Sequence, residues 1–173
     1  MTSAHEILPG LWLGNMEASQ DATFIKKNNI KAILNATHDL VNKFQSNKNI
    51  EYGNIKVDDS LKEKDFKIME KSLPYAAAFI HKNKDLENKA VLVHCFAGVQ
   101  RSAACVASYL MTYHPEIAPT FSKAVKFVHS RRPEAFHNME SVNFDQALKA
   151  YRKTLTQPKL KNKVVTTKAK KTK

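Results

Sequence analysis

Between an apolar run, Val91-Leu92-Val93, and a small-residue stretch that opens Ala103-Ala104 stand His94, Cys95, Gly98, Arg101 and Ser102. Cysteine offers a sulfur nucleophile that attacks as the thiolate, and arginine a planar fork that grips two oxygens of an anion at once. Cys95 and Arg101 enclose five residues. A chain that leaves a strand at His94 and enters a helix near Arg101 therefore aims the intervening backbone N–H groups at one point in front of the sulfur. Such a loop cradles a phosphate, because a helix N-terminus presents unsatisfied donors and the positive end of its dipole, and the same setting favours the thiolate. The implied chemistry is transfer of a phosphoryl group to sulfur, with Arg101 gripping hardest when the transferred oxygens spread equatorially in the transition state. Phe96, Ala97, Gly98, Val99, Gln100 and Arg101 line the anion, and Gly98 supplies the tight, positive-φ step. The Ser102 hydroxyl is placed to hydrogen-bond the Cys95 sulfur and ease its departure from a phosphocysteine, while His94 orients the loop rather than acting as a base. A cysteine at a strand end is more often inert core, and Cys105, on the apolar face of the next helix with Ala104, Ala107 and Tyr109, reads that way. Gly-Lys-Ser/Thr is absent, which excludes an ATP-binding loop of that type.

Such a loop needs a strand behind it and a helix in front. Residues 89–94 read as a central strand rich in β-branched residues, and 102–113 as the helix that follows. Upstream, Ile7-Leu8-Pro9-Gly10-Leu11-Trp12-Leu13 is two short strand pieces around a Pro-Gly turn, hence a first hairpin. Residues 17–29 have helical spacing, 30–36 and 51–57 read as strands, and 66–83 as a helix interrupted or restarted at Pro74. Helices at about 119–130, with Pro119 in the first turn, and 141–155 complete the domain. The expected fold class is α/β, a central, mostly parallel sheet of about five strands flanked by helices.

The segment His94-Cys95-Phe96-Ala97-Gly98-Val99-Gln100-Arg101-Ser102 resembles the signature loop of the cysteine-dependent dual-specificity protein phosphatases. Ile7 to Gly14 resembles that family's opening, Lys31 to Thr37 its first long core strand, Ala107 to Met111 the helix behind the loop, and Arg132-Pro133 with Phe144 to Tyr151 its closing segment. The resemblance covers about residues 6–152 and implies a three-layer fold, a small catalytic domain over residues 1–156 and a phosphocysteine mechanism without cofactor or metal. It also implies a general acid in a loop after a strand, about thirty residues before the cysteine, which falls on Ile55-Lys56-Val57-Asp58-Asp59-Ser60. Asp59 is the first candidate and Asp58 the second. Asp59 stands 36 residues before Cys95, longer than the family pattern, which keeps Asp65, at 30, as a third. A second departure is Glu134 to Ser141, where the family has Pro-Asn and this chain has Asn138. Uncharged Phe96, Ala97, Val99 and Gln100 favour a phosphoprotein over an inositol lipid, and the lack of a long insertion between residues 40 and 50 implies a shallow pocket. That pocket should admit phosphotyrosine and phosphoserine/phosphothreonine. An RNA 5′-phosphatase of the same superfamily and a catalytically silent phosphoprotein-binding module are the alternatives.

The chain has 173 residues and a formal net charge of +12. Nine of its 28 basic residues lie from Arg152 onward with no acid among them, leaving 19 basic against 16 acidic side chains before that point. The charge excess is thus a property of the terminus. Residues 157–173 are expected to be a disordered basic tail, a candidate for holding nucleic acid or another polyanion. Two cysteines argue against a disulfide framework and for a reducing, intracellular setting, cytoplasmic or nuclear. No apolar stretch approaches the roughly 20 residues of a membrane span. The seven histidines show no paired ligand spacing for a metal. A monomer is expected.

Overall fold

The computed structural model describes residues 3–156. The basic tail read at 157–173 lies outside the described residues. The hairpin forms as β1 (Ala4–Leu8) and β2 (Leu11–Gly14), turning at Gly10 with φ +76. Two short helices follow, α1 (Met16–Gln20) and α2 (Ala22–Lys27), then β3 (Ile30–Asn35) and β4 (Glu51–Asn54). A long α3 (Glu63–His81) runs on through a π-helical turn (Lys82–Leu86) into β5 (Ala90–His94). Last come α4 (Arg101–Tyr113), α5 (Phe121–Arg131), a 3₁₀ turn (His137–Met139) and α6 (Asp145–Thr156).

The five strands form one sheet in the order β1-β2-β5-β3-β4, parallel except for the β1–β2 hairpin. Alternation along the strands divides the core into two halves, as a period of two requires. Ala32, Leu34, Val91 and Val93 face one side, where they join Leu73, Ile80, Leu110 and Val128 from α3, α4 and α5. Ile33 and Leu92 face the other, where Ile25 of α2 and Ile50 cover them. Helices therefore lie on both faces of a mixed sheet, and the expected three-layer α/β class holds. No helix among the described residues is long and apolar enough to cross a membrane.

Several boundaries differ from the sequence reading, each for a local reason. The single helix expected at 17–29 breaks at Asp21, whose Oδ1 accepts from the N–H groups of Thr23 and Phe24 and so restarts the helix as α2. β4 ends at Asn54 rather than residue 57, although Ile55 and Val57 remain buried beyond it. Pro74 does not interrupt α3: it and Glu70, whose carbonyl loses its partner, both lie on the exposed side, where water replaces the bond. Pro119 precedes α5 rather than opening it, because Thr120 is the N-cap and accepts from Lys123 N. α6 starts at Asp145, not 141, since residues 141–143 bond elsewhere.

The parallel strands end in register: Gly14 and Asn35 both pair with His94, and Asn35 with Asn54. The loops after β3, β4 and β5 therefore gather along one edge of the sheet, the C-terminal edge where open α/β sheets form their sites.

Candidate active site

Cys95 leaves the end of β5 only 2% exposed. Its Sγ accepts from Gly98 N at 3.3 Å and from Ser102 Oγ, on the first turn of α4, at 3.2 Å. Between them the Gly98 N–H turns in toward the sulfur, while the carbonyls of Ala97 and Gly98 face out and need donors of their own. Arg132, fully buried after α5, supplies them: Nε donates to Gly98 O at 2.8 Å and Nη2 to Ala97 O at 3.3 Å. Its Nη1 lies 2.9 Å from Nδ1 of His5 on β1. Gly98 takes φ +69, and a Cβ there would meet the Gly14 carbonyl oxygen at 2.6 Å. Only glycine combines that backbone with that approach.

Arg101 opens α4 and donates from Nη1 to Val57 O at 3.2 Å, while its Nε is buried without an acceptor among the described residues. It thus ties the phosphate-type loop to the loop after β4 and keeps a donor for an anion. His94 is 2% exposed and its ring is pushed from 6.5 down to about 4, chiefly by burial, with the Arg101 charge adding and a backbone bond at Cys95 opposing. The imidazole is thus held neutral, and its buried Nδ1 has no hydrogen-bond partner among the described residues. Phe96 and Ala97 stand on the rim, Phe96 at 59% exposure, whereas Val99 and Gln100 are buried. The Gln100 side chain points away from the loop's interior, to Ser141 and Asn143, so what it offers an anion is its backbone N–H. Cys105 is fully buried, and burial pushes its thiol up, in keeping with a core residue.

The three acid candidates separate. Asp59 is half-buried and its Oδ1 accepts from Asn143 Nδ2 at 2.9 Å, next to the residue that Gln100 holds. Asp58 is exposed. Asp65 is buried in the first turn of α3, where its Oδ2 accepts from Ser60 N at 3.2 Å and from the Ser60 hydroxyl. That carboxylate is engaged in closing the turn at Ser60. Asn138 is exposed in a run of four left-handed residues, Phe136 to Met139. The asparagine that reaches the site is Asn143, 84 residues from Asp59. Sequence reasoning missed it together with Arg132 and His5, since nothing in local spacing marks a partner that only the fold brings near.

A cysteine at the mouth of a strand–loop–helix phosphate cradle, on a five-stranded mixed sheet, defines the cysteine-dependent phosphatase type of domain. Residues 11–154 match the family described as dual specificity phosphatase, catalytic domain, and the chain belongs to it. Dual specificity protein phosphatase Mpk3 of Drosophila melanogaster is 38% identical over 149 residues, 83% of this chain but 34% of that protein. Human dual specificity protein phosphatase 21 is 34% identical over 131 residues, 76% of this chain and 64% of its own length. Among solved structures, human DUSP28 superposes with a TM-score of 0.73 at 23% identity, covering 91% of this chain and 97% of that one, which is a likeness of fold. The chain spans about a third of the length of the Drosophila relative.

Proposed function

We propose that this domain is a protein phosphatase that removes phosphate from phosphotyrosine and from phosphoserine/phosphothreonine through a phosphocysteine intermediate. The observation that carries the reading is the convergence of Gly98 N–H and Ser102 Oγ on the Cys95 sulfur at the N-terminus of α4. The Cys95 thiolate attacks phosphorus, the S–P bond forms as the P–O bond to the leaving group breaks, and Asp59 gives its proton to the departing oxygen. Loop amides and Arg101 hold the three equatorial oxygens. Water, deprotonated by Asp59, then attacks phosphorus, and the sulfur leaves as thiolate with the Ser102 hydroxyl donating to it; inorganic phosphate and the starting enzyme result. His94, neutral and buried, ends the strand from which the loop departs and takes no part as a base. An exposed Phe96 on the rim, together with a sequence that carries no long insertion between residues 40 and 50, supports access for short and long phosphorylated side chains alike. The same reading extends to a monomer, and to work in the cytoplasm or nucleus, for which two buried, unpaired cysteines speak. The lysines beyond residue 156 give it an arm for nucleic acid or another polyanion.

The test is hydrolysis of an aryl phosphate with and without vanadate, and trapping by Cys95→Ser. The serine variant keeps the loop's shape but does not ionise near neutral pH, so turnover should vanish while phosphopeptide binding persists. Turnover near the wild-type rate in that variant refutes the assignment.

A further inference from the structure

One side chain of the phosphate loop does no work for the anion and yet is fully engaged. Gln100 is 2% exposed, and both ends of its amide are bonded: Nε2 donates to Ser141 O at 2.9 Å, and Oε1 accepts from Asn143 N at 2.9 Å. The strap so held, residues 141–143, presents the Asn143 side chain, whose Nδ2 donates to Asp59 Oδ1 at 2.9 Å. Three segments far apart in the chain, the loops after β4 and β5 and the strap before α6, are thereby joined by one chain of hydrogen bonds.

We infer that Gln100 and Asn143 are positioning residues that set the Asp59 carboxyl against the phosphate loop; the inference rests on the reading of Asp59 as the general acid. Asp59 sits on a segment without regular structure, between exposed Asp58 and Ser60, and its carboxyl has no helix or strand to fix it. The Asn143 Nδ2–H donor makes Oδ1 the accepting oxygen, which leaves Oδ2 as the one that carries the proton to the leaving group. The strap itself follows the left-handed run of Phe136 to Met139, so Gln100 gives it a fixed point. Gln100 adjoins Arg101, whose Nη1 donates to Val57 O, two residues before Asp59. The acid segment thus hangs from consecutive residues of the phosphate loop at two points. Glutamine suits the task because the clamp needs a donor and an acceptor on one planar group; glutamate lacks the donor and serine the reach.

The experiment compares kcat on an aryl phosphate with a good leaving group and on a phosphoserine peptide, for Gln100→Met and Asn143→Leu. Both substitutions stay close to the original side-chain shape while removing its hydrogen bonds, and each is made alone and in the Asp59→Asn background. Misplacing an acid costs most where the leaving oxygen is most basic. Each single variant should therefore lose about 10- to 100-fold more on the phosphoserine peptide than on the aryl phosphate, and that excess should vanish when Asp59 is already Asn. Gln100→Glu, which keeps the acceptor toward Asn143 N, should show a smaller excess and serves if Gln100→Met melts too low to assay. Equal losses on both substrates, or an excess that persists in the Asp59→Asn background, overturn the inference and leave Gln100 a shaper of the loop. If Asp59→Asn itself shows no leaving-group dependence, the acid assignment is what failed, and the positioning role falls with it. A wild-type protein inert toward both substrates overturns the phosphatase reading and this inference together.

Discussion

Acid should weaken this fold through one identifiable side chain. His94 closes β5 at 2% exposure, and its ring is pushed from 6.5 to about 4, first by burial and then by the Arg101 charge, against a bond to the Cys95 backbone. The folded value lies below the unfolded one. Between the two, the unfolded chain binds a proton that the folded chain does not, so this stability is complete above 6.5 and is lost as pH falls toward 4. At about 1.4 kcal/mol for each pH unit, integration from roughly pH 7.5 to pH 5 gives a loss of about 2 kcal/mol from His94. Urea unfolding followed by fluorescence of Trp12, the single tryptophan, packed edge-on against Phe24, reads the transition. The measured quantity is the change in unfolding free energy between those pH values for wild type and for His94→Asn, since other groups titrate in both. Wild type should lose about 2 kcal/mol more than the variant. Equal losses, within the few tenths of a kcal/mol that such titrations resolve, refute the reasoning that burial holds this histidine neutral.

Gly98→Ala places a Cβ 2.6 Å from the Gly14 carbonyl oxygen at φ +69, so a melting curve should show a loss of about 2 kcal/mol or more and aryl phosphate turnover should collapse. Arg101→Lys keeps the charge but not the fork, and kcat should fall on the order of 10²-fold with the thermal midpoint little changed. Asp65→Ala frees Ser60 at the turn before α3, which should cost about 1 to 3 kcal/mol in chemical denaturation and slow aryl and phosphoserine substrates alike; a selective loss on phosphoserine would move the acid to Asp65. Removing residues 157–173 takes away seven lysines, so nucleic-acid binding measured at two salt concentrations should lose most of its salt slope, while aryl phosphate turnover stays as it was.

The shape of the loop from His94 to Ser102 was legible because its geometry is local. A cysteine, a glycine at a positive-φ step, an arginine and a hydroxyl at fixed offsets between an apolar strand and an apolar helix carry their geometry in their spacing. The sheet was legible for the same reason, since strands such as Ala90–His94 announce themselves by composition over a few residues. Errors fell where one side chain outweighed a pattern: the Asp21 cap divided a periodic helix, and the water-facing side of α3 absorbed Pro74 without a break.

Choosing among Asp58, Asp59 and Asp65 was beyond any local rule. All three are carboxylates near one strand end, and their fates differ only through partners elsewhere: Asn143 for Asp59, Ser60 for Asp65, solvent for Asp58. The same holds for Arg132, which satisfies the carbonyls of Ala97 and Gly98 more than thirty residues earlier, and for Gln100, whose side chain turns from the loop's interior to a strap 41 residues later. Spacing along the chain encodes what a short segment can do with its own backbone. Which carboxyl is held, which carbonyl is satisfied and which amide becomes a clamp depends on contacts closed by folding, and those are set by the packing of the whole domain around the sheet.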